Sequence, residues 1–161
     1  MPSQPSLRFL LAHPAHLLAC GFGSGLSPRA PGTVGTLFAW VTFPFLRAWT
    51  TDIGLLVLLA VGFAVGVPAV HKTGRDLGVV DHGSIVWDEV VPFWLVLAFC
   101  PVDGFWQLAA FVLFRVFDIA KPQPARYLDE NVRNGLGVMS DDLVAAGYTL
   151  FVLALARWLW E

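Results

Sequence analysis

Fifteen of the 22 charged side chains are confined to two segments that together span 47 of the 161 residues. Residues 71–89 carry Lys72, Arg75, Asp76, Asp81, Asp88 and Glu89. Residues 115–142 carry Arg115, Asp118, Lys121, Arg126, Asp129, Glu130, Arg133, Asp141 and Asp142. The remainder is close to lipid-soluble in composition. Overall, 57% of residues are hydrophobic and 14% charged, where a soluble domain has roughly 45–50% and about 25%. Mean hydropathy is +0.67. These values exclude disorder and argue against a water-soluble globule. With a net charge of −2, no basic field exists for nucleic acid. Cys20 and Cys100 both lie in apolar surroundings and read as small core residues, not as a disulfide or zinc site.

The apolar runs read as helices. Residues 53–70 are eighteen uncharged positions, enough to cross most of a hydrocarbon core of about 30 Å. Runs at 34–49, 90–100, 105–114 and 143–160 are read alongside it as members of a compact bundle. No period-two alternation competes, so the fold class expected is all-α: a compact helical integral membrane bundle. The turn at Thr50–Asp52 is expected to pair 34–49 with 53–70, and the turn at Pro101–Gly104 to pair 90–100 with 105–118. Polar segments 21–33, 71–89 and 119–142 then converge on one face. Eight of the ten Lys and Arg belong to that face or to the N-terminus, which makes it cytoplasmic by the positive-inside rule. Residues 1–20, broken by His13-Pro14 and His16, read as an N-terminal interfacial segment. Residues 21–161 read as a single domain.

Acidic groups near a membrane are costly unless paired, hydrated or bound to metal. Asp81 and His82 precede Asp88 and Glu89, which open directly into the apolar run 90–100. Arg115, Asp118 and Lys121 recur at spacings of three, on neighbouring parts of one helical face. Asp141 and Asp142 follow Ser140, which is expected to cap the last helix. Capping, dipole pairing and an intrahelical salt-bridge ladder account for each group singly. Together, carboxylates from three segments suit Mg²⁺, and the interleaved cations suit phosphate oxygens. That combination is the equipment of phosphoryl transfer or phosphate hydrolysis. His82 beside Asp81 is a candidate acid/base, with a structural role as the alternative. The glycine-rich stretch 21–35 lacks the ending of a Walker loop and has no preceding strand. It reads as turns, or as an anion nest beside Arg29.

Gly21 to Leu37, Asp81 to Glu89, Phe114 to Pro124 and Gly135 to Gly147 closely resemble the bacterial phosphatidylglycerophosphatase A family. The resemblance implies an inner-membrane, Mg²⁺-dependent lipid phosphatase, with residues 21–161 as its domain. It implies phosphatidylglycerophosphate as substrate, and phosphatidylglycerol and phosphate as products. The family's acidic positions fall on Asp81, Asp88, Glu89, Asp118, Asp141 and Asp142, which stand as metal ligands. Its basic positions fall on Arg29, Arg115 and Lys121, which stand as phosphate binders. Asp76 also matches some relatives. Three departures are visible: Pro92 for a usual Gly, Gln123 for a usual Trp, and Asn134 for a usual Gly. Pro92 is expected in the first turn of a helix, where proline is tolerated.

The expected chemistry is metal-assisted hydrolysis of a phosphomonoester on a lipid headgroup, with Asp81, His82, Asp88, Glu89 and Asp118 catalytic. Asp81 or His82 would deprotonate the attacking water, and a covalent aspartyl-phosphate is the alternative route. Two rival classes remain. A divalent-cation transporter predicts acids near the middle of spans. A noncatalytic membrane scaffold predicts that neutralising Asp88 alters stability alone.

Overall fold

The structure, a computed structural model, describes residues 4–160. Among these the chain is helical throughout its regular parts, with no strand. In order come α1 (Leu7–Ala12), α2 (Pro14–Ala19), a 3-10 stretch (Gly21–Leu26), α3 (Pro31–Trp49), α4 (Asp52–Leu77), α5 (Trp87–Phe99), α6 (Gly104–Ala120), α7 (Ala125–Asn131) and α8 (Gly135–Trp160). Helix starts follow local chemistry. The Thr51 hydroxyl accepts from the Gly54 amide at the head of α4, and the Asp103 carboxylate accepts from Phe105 and Trp106 at the head of α6. Such caps satisfy amides that a helix leaves unpaired.

The short helix α5 is the core element. Val90, Val91, Phe93, Trp94, Val96 and Leu97 are all buried. It packs against α3, α4, α8 and, less extensively, α6. Its indoles find polar partners inside the bundle: Trp87 Nε1 donates to Gly62 O at 3.0 Å and Trp94 Nε1 to Ala39 O at 2.9 Å. This corrects the expected pairing of 34–49 with 53–70. The turn at Thr50 and Thr51 joins α3 to α4, but the two helices barely touch, because α5 lies between them. The two cysteines are free and buried.

Two further local expectations are revised. Helix α5 begins at Trp87, so Pro92 is its sixth residue and sits in the second turn. The Asp88 carbonyl therefore loses the amide partner that a continuous helix supplies. Helix α8 begins at Gly135, five residues before Ser140. The cap is Asn134, whose Oδ1 accepts from the Leu136 and Gly137 amides at 3.0 and 3.1 Å. Asp141 and Asp142 thus lie inside the helix, not at its mouth.

Helices α4 and α8, each 26 residues, are long and apolar enough to cross a membrane, with mean hydropathies of 2.6 and 1.6 over their best windows. Only 28% and 22% of those windows are buried. A soluble core helix would bury most of its length, whereas these turn Ile53, Val57, Val61, Val65 and Phe151 outward.

Candidate active site

The first turn of α5 carries the site. Glu89 is 9% exposed, and its Oε2 receives two donors: Thr36 Oγ1 from α3 at 2.9 Å and Arg115 Nη1 from α6 at 2.5 Å. The same Arg115 nitrogen donates to Asp118 Oδ2 at 2.5 Å. One guanidinium thereby ties α5 to its own helix one turn on. The approach of α3 depends on Gly32, where a Cβ would overlap the Glu89 carboxylate.

A second cation organises the neighbouring acids. Lys121 ends α6 with φ +42°, which turns it away from the helix axis. Its Nζ donates to Asp141 Oδ2 at 2.6 Å and Asp129 Oδ1 at 2.9 Å, and stands 3.8 Å from Asp81 Oδ2. Burial alone would lower the Lys121 ammonium. Its hydrogen bonds to Asp141 and Asp129 and the charge of Asp81 outweigh that and raise it above the ordinary lysine range. Its cationic form therefore persists past the pH where a free lysine deprotonates.

Two carboxylates lack such partners. Asp88 is 6% exposed, and its buried Oδ1 has no hydrogen-bond partner among the described residues. Asp142 is 3% exposed, and no hydrogen bond or ion pair among the described residues engages its carboxylate. Its carboxylate lies within electrostatic reach of Asp118, Asp88, Asp141 and Glu89. Among the described residues, the ion pairs of the seven carboxylates Asp81, Asp88, Glu89, Asp118, Asp129, Asp141 and Asp142 run to two cations, Arg115 and Lys121. Such an excess of hard oxygen donors, one of them orphaned, fits a divalent cation that prefers carboxylates. Among the described residues, no three His, Cys, Asp or Glu side chains are gathered closely enough to hold an ion as they stand. Glu89, Asp118 and Asp141 are drawn instead to the two cations.

His82 is 4% exposed. Its Nδ1 accepts from the Ser84 amide at 3.1 Å, so a neutral ring carries its hydrogen on Nε2. That nitrogen is buried without a partner among the described residues. Neutral His82 therefore offers a donor there and no lone pair. Arg29 is exposed in the loop before α3, and no ion pair among the described residues joins it to the acids. Asp76 belongs elsewhere. It pairs with His16 Nε2 at 2.7 Å and Lys72 at 2.8 Å, fastening α2 to α4. Thr36 and Asp129 complete the site and were not anticipated. A lone threonine in an apolar helix and one acid in a mixed charge run carry no distinctive spacing.

The depth of the cluster follows from helix contacts. Trp87 bonds Gly62, and a Cβ on Gly66 would stand 2.7 Å from Trp87 and 2.9 Å from the Met139 side chain. Asp88 and Glu89 follow Trp87, and Asp141 and Asp142 follow Met139. The acids are thus level with the middle of the uncharged run 53–70 of α4.

A family model described as Phosphatidylglycerophosphatase A matches residues 17–157. The chain is 46% identical over 153 residues to the Escherichia coli (strain K12) protein named Phosphatidylglycerophosphatase A, covering 90% of this chain and 87% of that one. It is 46% identical over 159 residues to the Haemophilus influenzae protein of the same name, covering 98% of each. A Bacteroides thetaiotaomicron protein, provisionally named phosphatidylinositol-3-phosphatase, is 41% identical over 149 residues, covering 88% of this chain and 92% of that one. No solved structure matches. With nearly its whole length matched, the chain belongs to the phosphatidylglycerophosphatase A family and is a phosphatase acting on a phosphoester.

Proposed function

We propose that this protein hydrolyses the terminal phosphomonoester of phosphatidylglycerophosphate in a Mg²⁺-dependent reaction, releasing phosphatidylglycerol and phosphate. The observation that carries this reading is a cluster in which, among the described residues, two cations pair five carboxylates and leave the buried Asp88 and Asp142 unpaired beside them. Arg115 and Lys121 present donors to phosphate oxygens, exchanging carboxylate partners for substrate. A water attacks phosphorus as the bond to the glycerol oxygen breaks, and that oxygen takes a proton from solvent to leave as the hydroxyl of phosphatidylglycerol. Asp81, whose side chain is 45% exposed beside Lys121, takes the proton from that water. The tautomer of His82 suits hydrogen-bond donation, which leaves the base role to Asp81. Asp88, Glu89, Asp118 and Asp142 would hold Mg²⁺, with Asp141 and Asp81 at its margin; the ion supplies positive charge to the phosphate oxygens.

The protein's place in this reading is the bacterial inner membrane. α4 and α8 span it, and the end bearing Lys72, Arg75, Arg126 and Arg133 faces the cytoplasm. Exposed Trp49, Trp158 and Trp160 mark the opposite interface.

The depth of the acids is also what a cation path would show, since they are level with the middle of α4 although they start α5. Family membership and the two phosphate-competent cations favour hydrolysis. The test is phosphate release from phosphatidylglycerophosphate by purified protein, with Mg²⁺ or with chelator, beside Asp88→Asn. The expected result is Mg²⁺-dependent release that falls by about 10² or more in the variant, with thermal unfolding unchanged or raised. No release by folded wild-type protein, with Mg²⁺ flux into vesicles, would establish the transporter instead.

A further inference from the structure

A cavity of about 320 Å³ opens at the charged end of the bundle, lined by Val79, Val80, Asp81, Asp129, Val132, Arg133 and Val138. Its size is that of a small-ligand site. Asp81 and Asp129 on its wall both face Lys121, at 3.8 and 2.9 Å. Lys121 in turn holds the buried Asp141 at 2.6 Å. Two wall carboxylates therefore connect the cavity to the cation at the edge of the acid cluster. Lys121 offsets part of the charge of these carboxylates, holding Asp129 directly and Asp81 at longer range. Arg133 differs: its Nε makes a long contact of 3.4 Å to Glu130 O, and it forms no ion pair among the described residues. An exposed guanidinium on the wall of a cavity is suited to an oxyanion in bidentate geometry.

We propose that this cavity is the headgroup vestibule and that Arg133 binds the phosphodiester of the lipid. The inference rests on the lipid-phosphatase reading and extends it. Such a substrate carries two phosphates: the terminal monoester, which is cleaved, and the diester that joins the headgroup glycerol to the diacylglycerol. When the terminal phosphate reaches Lys121, the diester lies one glycerol unit behind it, in the cavity. Arg133 then distinguishes a lipid with a second phosphate from a simple phosphomonoester. It is a specificity residue, and it touches no reacting atom.

The test compares wild type, Arg133→Gln and Arg133→Lys in mixed micelles at fixed lipid surface. Three quantities are read: KM for phosphatidylglycerophosphate, Ki for phosphatidylglycerol, and Ki for inorganic phosphate. Phosphatidylglycerol keeps the diester and lacks the terminal phosphate, whereas inorganic phosphate probes the reaction centre alone. Arg133→Gln should raise the KM and the phosphatidylglycerol Ki together by about tenfold. The inorganic phosphate Ki should stay within about twofold, and Arg133→Lys should fall between. A parallel rise in the inorganic phosphate Ki would overturn the proposal by placing Arg133 at the reacting phosphate. Three unchanged constants would also overturn it, by leaving the diester unrecognised. Absence of phosphate release by wild type is a separate outcome; it removes the lipid-phosphatase reading and the vestibule with it.

Discussion

Thr36 has one hydroxyl hydrogen and two oxygens at 2.9 Å, the Gly32 carbonyl and Glu89 Oε2. A carboxylate is the stronger acceptor, so the hydrogen goes to Glu89 and helps to hold it against Arg115. Thr36→Val keeps the shape and removes the donor. We expect kcat/KM to fall about tenfold and stability by about 1 kcal/mol, with Thr36→Ser restoring most of both. Phosphate-release kinetics beside thermal unfolding check this. Loss in the Ser variant with none in the Val variant would mean that packing, not the hydrogen bond, is what matters. The acids themselves were legible because charge is rare in this chain and stands out. Thr36 was not, since its partner is 53 residues away and only the packing of α3 on α5 joins them.

At the scale of helices, the head of α8 shows how two cap candidates compete. Asn134 and Ser140 both precede suitable sequence. Gly135 and Gly137 resemble a turn, which favours Ser140 on local grounds. In the fold, Gly135 packs against the Val67 carbonyl and Gly137 against the Val132 carbonyl. Both glycines are therefore helical, allowing α4 and the preceding loop to come close, and Asn134 becomes the cap. Asn134→Ala should cost about 1 kcal/mol, read as a lower unfolding temperature, and Ser140→Ala should cost less. The reverse order would restore the shorter helix. The position of α5 between α3 and α4 was illegible for a related reason. It depends on Trp87 and Trp94 finding backbone carbonyls 25 and 55 residues away. No periodicity within one helix reports such pairings.

Taken as a whole molecule, the all-helical class and the five apolar runs were readable, because composition and run length set them. Their relative heights were not. The acids start a short helix, yet that helix begins level with the middle of a long one. A nitroxide probe tests this directly. Val65 is 50% exposed on α4, close to the level of Trp87. Attached through Val65→Cys in a chain whose Cys20 and Cys100 have been replaced, a probe in lipid vesicles should show high oxygen and low nickel-chelate accessibility. Interfacial accessibility there would raise the whole cluster to the membrane surface.

That height has an electrical consequence. In the proposed bilayer setting, a phosphate dianion drawn from the charged end to the level of Gly62 and Gly66 crosses close to half of the apolar slab. The full slab drops about 2.3 kcal/mol per charge per 100 mV. Two charges over half the thickness therefore carry about 2 kcal/mol per 100 mV. Membrane voltage enters the substrate's binding equilibrium, and an energised vesicle and a detergent micelle report different affinities for the same chain.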